Sequence, residues 1–166
     1  MFMKVHRNSN AVVFFGIHFN GVHDAMCAYA FMGNGSGDCP RRGYSVEWSD
    51  KEVNTNKVVL WKNDGSYMSG DYSTNLSSVT KNNDTSWHTF EMRYFSPPPG
   101  SYRLNILMDG TSIITNNDST SFTTKYVFLA STGEWTGTIT EYDLVYVRKY
   151  NNPEPTTSLG TEQLNQ

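Results

Sequence analysis

Positive charge is scarce in this chain, and charge of either sign is thin. The 13 Lys and Arg are outnumbered by 16 Asp and Glu among 166 residues, charged side chains make up 17%, and the formal net charge is −3. A protein that holds a polyphosphate needs a basic stripe or tail to displace counterions, so nucleic acid is not an expected partner. No stretch approaches the roughly 20 apolar residues of a spanning helix, so membrane insertion is not expected either. Cysteine is nearly absent: Cys27 and Cys39 are the only two, and without a CxxC pair they do not suggest a zinc site. They flank the glycine-rich turn MGNGSGD. In an oxidising compartment they would close that loop with a bridge worth about 3 kcal/mol; the alternative is two unpaired thiols. The first ten residues, MFMKVHRNSN, lack the apolar core and cleavage site of a secretory signal, so any export signal is expected to have been removed or to lie upstream. Also missing are a 3.6-residue apolar period, a GxSxG elbow, a phosphate loop and any His pair at metal-ligand spacing.

What is abundant is aromatic and small polar. Aromatics reach 14%, with 4 Trp, 10 Tyr and 9 Phe, and Asn, Ser and Thr together form nearly a third of the chain. That mixture suits a β-rich extracellular protein. Period-two alternation predicts strands over Ala11–Phe19, Ala25–Met32, Gly43–Trp48, Lys57–Lys62, Trp87–Phe95, Tyr102–Met108, Thr111–Asn116, Lys125–Ala130 and Thr136–Tyr150, the last broken by a bend. Met108-Asp109-Gly110-Thr111 reads as a two-residue hairpin, because Asp-Gly tolerates the positive φ of a type I′ turn. Gly70–Asp84 is polar and aperiodic, a long loop with room for a bulge or one weak strand. The expected fold is all-β: one antiparallel two-sheet β-sandwich of jelly-roll type over residues 1–150, then an extended tail or linker over 151–166.

Alternation also separates the faces. Tyr44, Val46 and Trp48, Phe90, Met92 and Tyr94, and Leu104, Ile106 and Met108 are assigned to the inter-sheet core. Ser45, Glu47, Glu91, Arg93, Arg103, Asn105, Tyr142, Tyr146 and Arg148 are assigned to solvent. Val12-Val13-Phe14-Phe15 is apolar on both faces and has no charge or Pro to blunt an edge, so this strand should lie inside a sheet or pair with the tail or a neighbouring chain. Edge-strand pairing thus offers one route to a homo-oligomer.

Near the C-terminus stand Tyr142-Asp143, Val147-Arg148-Lys149-Tyr150 and Pro153-Glu154-Pro155-Thr156; earlier come Phe15-Gly16-Ile17, Gly43-Tyr44-Ser45-Val46-Glu47-Trp48 and Leu60-Trp61-Lys62. This set resembles concanavalin A-like lectin/glucanase jelly-roll domains, of the uncharacterised type found in archaeal cell-surface proteins. The resemblance implies that sandwich fold, an extracellular or cell-surface location and contact with a polysaccharide or glycoprotein glycan. Such domains usually carry strands ahead of the Phe-Gly-Ile strand, so the expectation is either a minimal version or the C-terminal part of a longer protein.

Catalysis is not expected. Laminarinase-type sandwiches place three carboxylates on alternate residues of one strand, whereas Glu141-Tyr142-Asp143-Leu144-Val145-Tyr146 supplies two and no acid/base partner. Gly16-Ile17-His18 lacks the companions of a lyase site. A sugar site is easier to build, from an exposed ring that stacks on a pyranose and polar side chains that meet its hydroxyls. Glu47, Trp61, Arg93, Asn105, Tyr146 and Arg148 are the candidates, against the plainer reading that alternating Glu and Arg are cross-strand pairs and Trp61 is core. No cofactor is required. Asp24, Asp38, Asp64, Asp71, Asp84 and Asp118 offer hard oxygens to Ca2+, but none forms a DxDxDG loop, and turn formation accounts for most of them. Asn-x-Ser/Thr acceptors at Asn34, Asn75, Asn83 and Asn117 exceed only slightly the about three expected by chance. The expected function is a non-catalytic glycan-recognition or adhesion module; the competing class is a structural component of a surface layer, filament or virion.

Overall fold

The computed structural model describes residues 1–8, 11–18, 43–49, 56–63, 73–81, 84–95, 101–120, 126–132 and 139–149. Ten strands run through them: β1 Phe2–Arg7, β2 Val12–His18, β3 Gly43–Ser49, β4 Lys57–Asn63, β5 Ser73–Thr80, β6 His88–Phe95, β7 Tyr102–Met108, β8 Thr111–Asp118, β9 Tyr126–Thr132 and β10 Thr140–Tyr146. Sheet A has the order β10-β1-β6-β7-β8 and sheet B the order β5-β4-β3-β2-β9. All neighbours are antiparallel. The all-β sandwich expected from alternation is therefore the observed architecture. Among the described residues there is no helix, and hence none long and apolar enough to cross a membrane. The expected strand Ala25–Met32, Cys27 and Cys39, and the tail 151–166 lie outside the described residues.

Two strands were not anticipated as such. In β1, Met3 and Val5 are buried while Lys4 and His6 are not. The alternation is present but is obscured by Phe2 on the outer side and by a buried charge, Arg7, on the inner side. In β5, Leu76 is an extra residue between the partners of Leu60 and Trp61, so Leu76 and Val79 both reach the core at a spacing of three rather than two. That bulge hides the strand from a period-two search. The strand β2 lies between β3 and β9, inside its sheet, which accounts for an apolar run with no edge protection.

The sheets close on Met3, Val5, Phe15, Tyr44, Val46, Trp48, Leu60, Phe90, Met92, Leu104 and Ile106. Phe15 meets Phe90 at 5.3 Å between ring centroids and Trp48 meets Phe90 at 5.4 Å. Rings of this size each contribute roughly 1.5–3 kcal/mol by leaving water. At one side the edges are tied where Asn116 Nδ2 donates to the Leu76 carbonyl (3.1 Å). Bulges interrupt β5 at Leu76, β8 at Ile113 and β10 beside Leu144, each the outermost strand at its end of a sheet among the described residues. Leu144 occupies the left-handed region at φ 50. Its bulge reverses the parity of β10: Tyr142 packs against the core beside Val5, contrary to its assignment to solvent, whereas Tyr146 pairs with Phe2 and is exposed. The hairpin Met108–Thr111 forms as expected, with φ 50 at Asp109 and φ 75 at Gly110.

An ion pair is enclosed at one end of the sandwich. Lys62 Nζ of β4 lies 3.0 Å from Asp118 Oδ2 of β8, with side chains 16% and 9% exposed. The Tyr44 hydroxyl donates to the same oxygen (3.1 Å), and the Thr120 amide donates to Asp118 Oδ1 (3.0 Å). Burial works against the Asp118 carboxylate, but these donors outweigh it and hold its pKa below the ordinary value. Burial and the facing carboxylate push the Tyr44 phenol up, which keeps it a donor. Because the folded pKa is depressed, the stabilisation is complete above about pH 5, declines below it and is lost as pH falls through the folded value. Asp118→Asn should lower the unfolding free energy by about 2 kcal/mol at neutral pH, with Lys62 left uncompensated. Urea titrations at stepped pH should show this difference shrinking in acid, and a difference independent of pH would refute the role of the pair.

Candidate functional site

Strand parity gives sheet A an outer face that is polar and aromatic. It carries Phe2, Lys4 and His6 from β1, Glu91 and Arg93 from β6, Arg103 and Asn105 from β7, and Glu141, Asp143 and Tyr146 from β10. The Phe2 and Tyr146 rings stack at 4.9 Å with planes 19° apart, and Tyr146 is 47% exposed. Phe2 is in register with Glu91, whose carboxylate accepts from Arg93 Nη2 (2.9 Å). Arg93 in turn pairs with Asn105 across β6 and β7. Asn105 Oδ1 accepts from Ser112 Oγ (2.6 Å) and Thr115 Oγ1 (3.2 Å), which fixes the amide from the β8 side. Arg148 follows β10, is exposed, and acts electrostatically on the Met1 amino group together with Glu91 and Arg93. Three of the six sequence candidates, Arg93, Asn105 and Tyr146, thus belong to one face, and Arg148 follows the last strand of that sheet.

The other two do not. Glu47 and Trp61 lie on the far face of sheet B, separated from the first four by the whole thickness of the sandwich. Trp61 points away from the core, as a stacking platform requires, but its Nε1 donates to Glu47 Oε2 at 2.8 Å. Glu47 is only 9% exposed, and Ser45 and Ser49 of the same face are also buried. The assignment of Ser45 and Glu47 to solvent is therefore wrong. β3 is the central strand of its sheet and is covered on both faces, so period-two polarity marks a buried polar row here and not a wet one.

Sequence reading missed Phe2, the stacking partner of Tyr146, because no strand was assigned over Phe2–Arg7. It also missed Trp87, which is 43% exposed, 5.3 Å from the His6 ring and 4.9 Å below Lys4 Nζ. The carboxylates weighed for catalysis are each tied to a base: Glu141 Oε2 lies 3.0 Å from His6 Nδ1, and Asp143 Oδ2 lies 3.8 Å from Lys4 Nζ. Asp84 and Asp118, two of the acids considered for Ca2+, sit against His88 and Lys62. They do not form a calcium cage. Among the described residues no group of three or more His, Cys, Asp or Glu could hold a metal ion; Asp24, Asp38, Asp64 and Asp71 lie outside them.

Two five-stranded antiparallel sheets in these orders make a β-sandwich of jelly-roll type. The chain is similar in structure to the carbohydrate recognition domain of Emp46p in its potassium-bound form, with a TM-score of 0.57 and 13% identity. The match covers 78% of this chain and 61% of that one, so it spans less than two thirds of the Emp46p domain. No family model matches the chain, and no curated protein matches it by sequence. At this identity the likeness is one of fold, and the fold is the concanavalin A-like sandwich.

The Glu47–Trp61 contact carries a testable consequence for sheet B. Trp61→Phe keeps the ring and deletes one donor to a buried carboxylate, and should cost about 1 kcal/mol in chemical unfolding. An unchanged unfolding midpoint would show that the bond contributes nothing.

Proposed function

We propose that the chain is a non-catalytic glycan-recognition module, of lectin or adhesion type, that works outside the cell or at its surface. A polysaccharide or glycoprotein glycan is its ligand, held on the outer face of sheet A. The observation that carries this reading is the exposed Tyr146 ring, backed by Phe2 at 4.9 Å, on the same sheet face as Glu91, Arg93 and Asn105. A pyranose offers an apolar face to such a ring, while its hydroxyls need fixed donors and acceptors beside it. The Glu91–Arg93 pair and the clamped Asn105 amide supply both, already ordered, which reduces the entropy lost on binding. The fold likeness to a carbohydrate recognition domain supports the same class. Catalysis is disfavoured because Glu141 and Asp143 are paired with His6 and Lys4 and have no third carboxylate on the strand.

A structural role in assembly is favoured by a different observation. The edge strand β10 and the residues after it expose Leu144 (62%), Val145 (42%) and Val147 (56%), and the edge strand β9 exposes Val127 and Leu129. Apolar edges of this kind suit protein contacts.

A glycan array separates the two. Reproducible binding that falls at least about tenfold in Tyr146→Ala and in Asn105→Ala, and is unchanged in Trp61→Phe, is the expected result. Absence of glycan binding, together with concentration-dependent assembly in sedimentation, would transfer the protein to the structural class.

A further inference from the structure

At the end of the sandwich away from Lys62 and Asp118, a cleft of about 470 Å³ opens among Lys81, Asp84, His88, Met108, Asp109 and Thr111. None of the six sequence candidates for ligand contact lies in it. His88, the first residue of β6, shares the inward face of Phe90, and its ring meets Trp48 edge-on at 5.3 Å. Both imidazole nitrogens are engaged: Nδ1 lies 2.7 Å from Asp109 Oδ2, and Nε2 lies 2.8 Å from Asp84 Oδ1. A neutral imidazole has one N–H, so two hydrogen bonds to ionised carboxylates require the imidazolium.

The carboxylates are fixed from their other sides as well. Asp109 sits in the tight turn between β7 and β8, and its Oδ1 accepts from the Thr89 amide (2.9 Å) while its own amide donates to the Thr89 carbonyl (2.9 Å). Asp84 Oδ1 accepts from the Ser86 amide (2.8 Å). Both acids remain about half exposed, at 45% for Asp84 and 51% for Asp109. Lys81 and the imidazolium balance their charge, so the cleft is neutral overall and mixes rigid acceptors, an ammonium donor and the Thr111 hydroxyl. Its volume falls in the roughly 300–1,000 Å³ range of small-ligand sites.

The geometry points to this cleft as a binding site for a neutral, hydroxyl-rich ligand of one or two sugar rings, separate from the face of sheet A. The choice of a saccharide rests on the glycan-binding reading above; the site does not. Ligand hydroxyls donate to the two carboxylates and accept from Lys81 and Thr111. The site is also sensitive to pH. Burial opposes the charge on His88, but Asp109 and Asp84 outweigh it and raise its pKa, while they are themselves held low. Facing His88 are Asp84 from the segment before β6, Asp109 from the β7–β8 turn and Trp48 from β3; Lys81 lines the cleft wall, and Arg7 Cζ of β1 lies 4.0 Å from the centroid of the Trp48 ring. Once pH rises through the folded pKa, only one of the two bonds can persist, and the released carboxylate loses its fixed position.

The test uses the methyl glycosides of glucose, mannose, galactose and N-acetylglucosamine, with the His88 imidazole, Trp48 indole and Asp109 amide signals followed by NMR on the whole chain. At least one glycoside should move these signals near pH 5.5, and its affinity should fall at least about fivefold once rising pH has deprotonated His88, as read from its own imidazole signals. Asp84→Asn should weaken binding about tenfold, and His88→Gln should flatten the pH dependence. If glycosides or array glycans move only the signals around Tyr146, the cleft assignment fails and the glycan reading stands. If no probe moves either set and the array is blank, both fail.

Discussion

The contact of Phe15, Trp48 and Phe90 across the sheets is the constraint on which the rest of this structure depends. Each ring commits its strand to one parity, with alternate residues inward and the remainder outward. Once Phe90 and Met92 face the core, Glu91 and Arg93 must face away from it, and the register from β6 to β7 then sets Asn105 beside Arg93. The candidate binding face is in this sense a by-product of packing. Its position was decided by the apolar residues behind it.

Bulges are the exceptions, and they matter for function as well as for the edges. The extra residue beside Leu144 lets one strand turn Tyr142 into the core and Tyr146 out onto Phe2. Without it the two tyrosines would share a face, and either the core or the surface would lose a ring. Charges enclosed at the two ends of the sandwich add a second kind of constraint. Lys62, Asp118 and Tyr44 tie sheet B to sheet A at one end, while Arg7 against Trp48, with His88 between its two aspartates, occupies the other. Buried ionic groups add little net stability, but losing one partner is costly, so they resist sliding of one sheet over the other.

Period-two alternation made the fold legible wherever it was unbroken. The core residues of β3, β6 and β7 and the Asp-Gly hairpin are found where the sequence put them. The strands that escaped, β1 and β5, fail the simple pattern for identifiable reasons: an inward arginine in one and an extra leucine in the other. The site was legible only in part. Arg93, Asn105, Tyr146 and Arg148 could be assigned to solvent from their own strands, but nothing in one strand's pattern says which sheet it joins. Glu47 and Trp61 were therefore grouped with residues on the opposite side of the molecule. Nor does alternation reveal that a central strand such as β3 is covered on both faces. The Asp84–His88–Asp109 bridge was invisible for another reason: it joins a loop, a strand end and a turn that only the closed sandwich brings together.

The central claim is that the sandwich presents sheet A, and not sheet B, to a glycan. A crystal structure of the protein with the oligosaccharide that binds best tests it most directly. The expected density is one sugar ring stacked on Tyr146 and a further ring of the same oligosaccharide with hydroxyls within hydrogen-bonding reach of Arg93 and Asn105. A sugar seated on Trp61, with the sheet A face empty, would contradict the account.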